Sequence, residues 1–437
     1  MFKAGFSKVD MTLPLGSSLS GYYSLRIAEG ILDPLDLIAV AFSDGETTAV
    51  VITADLCGFR LPGSFELRQR IAEEANIPVE NIFIHCLHQH TSIRFGTGER
   101  FYKANSSVVF EQDAAYEVIC RKFVDVTKMA IADLKDAEVG VASQETAEQI
   151  SFIRRFLMKD GSAVTNPGED RIKDVVGPFG EPDNTVRLVR FKREDANDIA
   201  FVNFSTHPDV IGGKKISADW PGFARRFVEK DLEGVSCILI NGPQGDTNHI
   251  NIYNPKGGYK HSRHMGRVIA DTVIDIWEKT EPKKAAPVTA QYKIEYIPTN
   301  TNDIERIEEY TEMKKQSLEG KLKFTDMELR ANVYRVSKLY DQTLFQKVPV
   351  SVLGLGEIIM AGFGGEAFTQ YAKVCRDAAP DHFVIAATLI NGHQGYLPTT
   401  EAYEKGGYEV CSSAFQPCLP EKLQATAVEM IKNHTNQ

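Results

Sequence analysis

Apolar runs of strand length alternate along this chain with longer segments of helical period. The runs 37–42 and 48–53 flank Ser43-Asp44-Gly45-Glu46, and an Asp-Gly pair between two apolar runs predicts a hairpin. Segment 62–75 places Leu67, Ile71 and Ala75 on one face, and 113–135 places Tyr116, Ile119, Phe123, Val126 and Ala130 at core spacing; both predict helices. Further strands are predicted at 81–90, 186–191, 199–205, 237–240, 348–355, 358–363 and 383–390, with helices at 223–232, 367–378 and 420–432. The charged stretch 302–346 carries two apolar stripes, Ile304, Ile307, Tyr310 and Met313, then Met327, Leu329, Val333, Val336 and Leu339. They predict a helical hairpin inserted in the core. Alternating strands and helices mark the α/β class. With no internal repeat and no long linker, one domain over 1–437 is expected.

Polar groups gather where the predicted strands end. Ile82-Phe83-Ile84-His85-Cys86-Leu87 runs straight into His88-Gln89-His90-Thr91-Ser92. On a strand of period two, His88 and His90 leave the same face, so both imidazoles can reach one cation or one reacting carbonyl. The bland alternative is that they end a strand in hydrogen bonds to turn backbone. His207 also stands at a strand terminus, before Pro208, which blocks further pairing. The turn formers of 241–249 follow a short strand as a binding loop does. Within them Asp246 and His249 are either metal ligands or, as favoured here, capping and turn acceptors. Glu366 opens a helix as a cap or a ligand, and Tyr396 lies in the polar outlet of the last strand. Asp55 is expected to cap a helix rather than to serve the site. Of the adjacent Arg154 and Arg155, at most one faces a site, and the other is expected on the solvated surface. Strand-end loops converging on one edge are how α/β sheets build sites.

Composition narrows the partners. A net charge of -10, from 49 basic against 59 acidic residues, disfavours a phosphate backbone or an anionic membrane surface. No apolar run approaches a membrane span, and the first seven residues lack the apolar region of a signal peptide. A cytoplasmic chain is therefore expected as written, or a secreted one had a leader been removed. The seven cysteines are scattered, with no Cys-x-x-Cys pair, and are expected to be reduced, none assigned to metal or catalysis.

Several short pieces occur together in a fixed order: Gly21-Tyr22 with Arg26 and Asp33-Pro34-Leu35, His88-Gln89-His90-Thr91-Ser92, Ile153-Arg154, Phe204-Ser205-Thr206-His207-Pro208, Ile216-Ser217-Ala218-Asp219, Gln244-Gly245-Asp246, Gly365-Glu366, and Tyr396 followed by Tyr408. In this combination the sequence resembles the catalytic domain of neutral (non-lysosomal) ceramidases. The resemblance implies an α/β (α+β) fold of mixed sheets sandwiched by helices, without the family's C-terminal sandwich domain. It also implies a zinc ion held by His88, His207, Glu366 and Tyr396. His90 resembles the family's proton-transfer residue, Tyr408 its oxyanion donor, and Arg154 the arginine that holds a polar substrate group. The implied activity is hydrolysis of an N-acyl or O-acyl bond in a small molecule, ceramide being one such substrate. Soluble carbohydrate esters, lactones or N-acetyl sugars form a second class, and a catalytically silent binding protein a third. Three departures affect the pocket: Ile93-Arg94 in place of Gly-Pro, Ile153 in place of an Asn, and His393 where an aromatic is common.

Overall fold

The strand Asp36–Ser43 is buried at every position but its first, so it reads as a continuous apolar run because both its faces are covered. In the computed structural model, which describes residues 1–96, 112–284, 287–339 and 344–436, that strand lies inside the larger of two main sheets. Its strands are β1 (Lys3–Asp10), β2 (Asp36–Ser43), β3 (Thr48–Ala54), β4 (Ile82–Cys86), β5 (Lys135–Glu145), β6 (Thr185–Arg193), β7 (Asp198–Phe204) and β8 (Val235–Asn241). They form a nine-stranded sheet in the order β8-β7-β6-β5-β1-β2-β3-β4, with Lys283–Lys284 as the ninth strand, paired to β5. A second sheet runs β9 (Val288–Pro298), β10 (Phe345–Leu355), β11 (Ile358–Phe363) and β12 (Phe383–Ala387).

The two sheets pack face to face through Phe42, Phe83, Phe191, Phe201, Leu353 and Met360. Helices α1 (Gly63–Ala75) and α2 (Gln112–Ala132) cover one half of the large sheet's outer face, and α3 (Asp219–Asp231) and α4 (Gly258–Trp277) the other. Helices α5 (Ile307–Leu318) and α6 (Met327–Val336) pair around Tyr310, Val333 and Val336. They are the predicted hairpin, of which 340–343 lie outside the described residues. Helices α7 (Thr369–Ala378), α8 (Thr400–Lys405), α9 (Tyr408–Ser412) and α10 (Leu419–Thr435) complete the chain, and α7 and α10 back the second sheet. The architecture is thus the expected one, mixed sheets between helices. Sequence patterning left 250–301 unassigned, and this stretch contains α4 and β9.

Within the two sheets the parallel pairs are β3 with β4, β7 with β8, and β11 with β12. Their carboxyl ends meet. Cys86 N–H donates to the Leu389 carbonyl (3.3 Å), Asn391 N–H to that of Ile84 (2.7 Å), and Thr388 N–H to that of Asn241 (3.1 Å). The two sheets are therefore stitched together at the edge from which the polar loops leave.

Candidate functional site

The strand predicted over 81–90 stops at Cys86, and His88 has a φ of 78°, a left-handed conformation uncommon outside glycine. Strand alternation is therefore not what puts His88 and His90 on one side. A turn does so, held by Leu87 N–H to the Ala54 carbonyl (3.0 Å) and His88 N–H to that of Leu56 (2.8 Å). Gln89 between them donates to Asp55 (2.6 Å). Asp55 is no helix cap: it pairs with Arg225 at 2.6 Å in full burial and braces the histidine turn from behind. His85 is a core residue, and burial lowers its pKa to about 3.

Three imidazoles converge. His90 Nε2 lies 3.4 Å from His88 Nε2 and 3.1 Å from His207 Nε2, and Glu366 Oε2 lies 3.2 Å from His88 Nε2. Each ring has its other nitrogen against an acceptor. His88 Nδ1 is 2.5 Å from the Cys57 carbonyl oxygen, His207 Nδ1 is 3.4 Å from that of Gln244, and His90 Nδ1 is 3.3 Å from Asp209 Oδ2. Carbonyl and carboxylate oxygens only accept, so each ring, when neutral, carries its proton on Nδ1 and turns the Nε2 lone pair inward. Glu366 Oε2 adds another acceptor, buried and without a hydrogen bond among the described residues. Such a cluster repels itself unless positive charge sits within it. Imidazoles oriented through Nδ1, together with a carboxylate, are what a zinc site requires. Without a metal that positive charge falls on His88: burial works against it, yet Cys57 and Glu366 raise the imidazole well above its usual range, and His88 with His393 in turn holds the Glu366 carboxyl well below its own. Burial, with Arg154 and the two histidines, keeps His207 neutral.

Gly21 shows how closely the site is packed. Its φ of 97° and a notional Cβ only 2.5 Å from His90 Cγ exclude any side chain there. Arg26 holds the same turn by donating to the His90 carbonyl (2.5 Å).

A second cluster contains the remaining expected residues. The Tyr396 ring lies 5.3 Å from the Arg154 guanidinium carbon and 5.7 Å from the Tyr408 ring, and Tyr408 Oη is 3.3 Å from Tyr23 Oη. Glu366 and Tyr396 face each other in a short parallel pairing that links the two clusters. Arg154 is tied by Nη2 to the Gly245 carbonyl (2.7 Å) and by Nε to Glu409 (2.9 Å). Arg155, expected on the solvated surface, is fully buried and pairs with the other oxygen of Glu409 at 2.7 Å. Alternation fails because Ile153 pairs with Thr247 and Arg155 with Thr165, in different sheets, which leaves Arg154 at the switch between them.

Asp246 accepts from Thr369 N–H (2.8 Å) and Thr369 Oγ1 (3.0 Å) at the start of α7, the favoured capping role. His249 is buried, with its pKa lowered to about 4 by desolvation. Sequence reasoning missed Asp209, two residues after His207, although Tyr22 donates to it and His90 faces it. It also missed Glu409, beside Tyr408. Cys57, assigned no role, has its sulfur 3.7 Å from His88 Nδ1; burial raises such a thiol, but His88 outweighs this and lowers its pKa to about 7.

No protein-family model matches this chain, and no curated protein matches it. In three dimensions it is similar to neutral ceramidase from Pseudomonas aeruginosa, with a TM-score of 0.73 at 16% identity over 98% of this chain and 74% of that one. It is likewise similar to a ceramidase complexed with C2, with a TM-score of 0.72 at 15% identity and the same coverage. The chain has the neutral-ceramidase fold.

Proposed function

We propose that this protein is a zinc-dependent hydrolase of an amide or ester bond, with His88, His207, Glu366 and Tyr396 holding the metal. The observation that carries the proposal is the run of inward-facing atoms from Glu366 Oε2 through His88 Nε2 and His90 Nε2 to His207 Nε2, at successive distances of 3.2, 3.4 and 3.1 Å, with Glu366, His88 and His207 each oriented from behind. Bound there, zinc supplies Lewis acidity toward a carbonyl oxygen and brings the pKa of water to about 7.

The chain's own residues perform the rest. His90 accepts a proton at Nε2 and returns it to the leaving group, while the Asp209 carboxylate, 3.3 Å from its Nδ1 and itself held by Tyr22, stabilises the charged ring. Burial keeps the Tyr408 phenol protonated, so it donates to the carbonyl oxygen as that atom gains charge, a contribution worth about 3 kcal/mol for such donors. Arg154, fixed by Glu409 and Gly245, presents its remaining N–H groups to a polar group of the substrate.

The likeness to ceramidases puts a lipid N-acyl amide first among substrates. Among the described residues no helix is long and apolar enough to cross a membrane. Assay of zinc-loaded protein on an N-acyl sphingosine, an aryl ester, a lactone and an N-acetyl sugar tests the proposal. Zinc-dependent turnover of the first supports it, and turnover of only the last two moves the substrate to carbohydrates. No turnover together with no zinc uptake leaves a binding protein on this fold.

A further inference from the structure

We infer that His393 belongs to the metal centre of this chain as a positioning residue that decides which Glu366 oxygen is left for the cation. The inference rests on the zinc centre proposed above. The two oxygens of Glu366 have different surroundings. Oε1 lies 3.0 Å from His393 Nε2, whereas Oε2 faces His88 Nε2 at 3.2 Å and has no hydrogen bond among the described residues. An ionised carboxylate only accepts, so His393 Nε2 carries the proton and donates it to Oε1. A nitrogen occupied in that way is not available as a ligand. The other nitrogen, Nδ1, is turned against the backbone at Gly58, where a side chain would begin 1.9 Å from it. Gly58 thus gives the ring the space to reach Glu366, and the ring in turn presents a single carboxylate oxygen to the histidines.

The loop that carries His393 is fixed on both sides. Asn391 N–H donates to the Ile84 carbonyl (2.7 Å), Gln394 N–H to that of Gly364 (3.0 Å), and Glu366 N–H to that of Gly395 (2.9 Å). The hydrogen bond from His393 to Glu366 is therefore built into the way β11 and β12 deliver their outlets. It is a donor behind a ligand, the arrangement that sets a ligand's orientation and basicity. His88, Glu366 and His393 each offer an atom within 4.8 Å of the others, so direct ligation by His393 is the rival to exclude.

Zinc affinity of the full chain, measured by competition with a chromophoric chelator, tests the inference alongside thermal unfolding of the zinc-free proteins. His393→Phe keeps the ring and removes the donor. Its zinc Kd is expected to rise about 10- to 100-fold with little change in zinc-free unfolding. His393→Gln, whose amide can still donate, is expected to stay close to wild type. His393→Ala reads the same loss as phenylalanine should the larger ring not be accommodated. Wild-type affinity in both the Phe and Ala variants overturns the inference, and equal weakening in Phe and Gln overturns it in favour of direct ligation. A wild-type protein that takes up no zinc overturns the metal centre itself, and the role of His393 with it.

Discussion

His88 and His90 stand two residues apart and meet the same point in space, yet the atoms behind them differ. His88 leans on a backbone carbonyl and contacts Glu366, whereas His90 leans on the Asp209 carboxylate. The first arrangement suits a ligand and the second a group that must change protonation during turnover. His88→Ala and Glu366→Ala are therefore expected to lose zinc and activity together. His90→Ala is expected to keep zinc and lose about 10²- to 10⁴-fold in kcat, with metal content and steady-state rates as the readout. The two histidines were legible because they follow an apolar run directly. The resemblance gives them different roles, but the atoms behind that difference were not legible, since Cys57 and Asp209 act through contacts that no local spacing encodes, and the positive φ of His88 replaces the strand alternation that the sequence pattern predicts.

At the scale of elements, α9 is held by one buried carboxylate. Glu409 takes Arg154 on one oxygen, and Arg155 and Thr165 on the other, so it positions Tyr408 and Arg154 together. Removing one partner of a buried ion pair costs about 3–5 kcal/mol. Glu409→Ala should show a loss of that size in denaturant unfolding, with a loss of activity beyond what instability explains. The start of α7 carries a pH signature. Burial, only partly offset by the two Thr369 hydrogen bonds, pushes the Asp246 carboxyl up to about 6. The folded chain thus keeps this proton to higher pH than the unfolded chain does. The stability it contributes is complete below about pH 4 and is lost as pH rises through 6, up to about 3 kcal/mol in all. Asp246→Asn should flatten unfolding free energy against pH across that window. Strands such as β2 and β3 were legible from apolar runs and the Asp-Gly turn. The burial of Arg155 was not, because the strand changes sheets at Arg154.

In the whole molecule, the site exists because two sheets are joined at the carboxyl ends of their parallel pairs. Asn391 is a principal tie. Its Oδ1 accepts from Ile84 N–H (2.8 Å), its Nδ2 donates to Ser351 Oγ (3.0 Å), and its own N–H donates to the Ile84 carbonyl (2.7 Å). Its φ of 59° is one that Asn tolerates better than most residues. Asn391→Ala leaves the Ile84 N–H buried without its partner, and a stability loss of about 1–3 kcal/mol is expected by chemical denaturation, with weaker zinc binding because the His88 and Glu366 loops lose their common anchor. The α/β class was readable from alternating elements. The sheet order was not, because β1 lies beside β5 through residues more than a hundred positions apart, and periodicity carries no record of such pairing. The central claim, that His88, His207 and Glu366 surround one zinc ion, is tested most directly by anomalous diffraction at the zinc edge on crystals of the full chain. One peak is expected, about 2.0–2.2 Å from His88 Nε2, His207 Nε2 and Glu366 Oε2. A peak elsewhere, or none in zinc-soaked crystals, would contradict it.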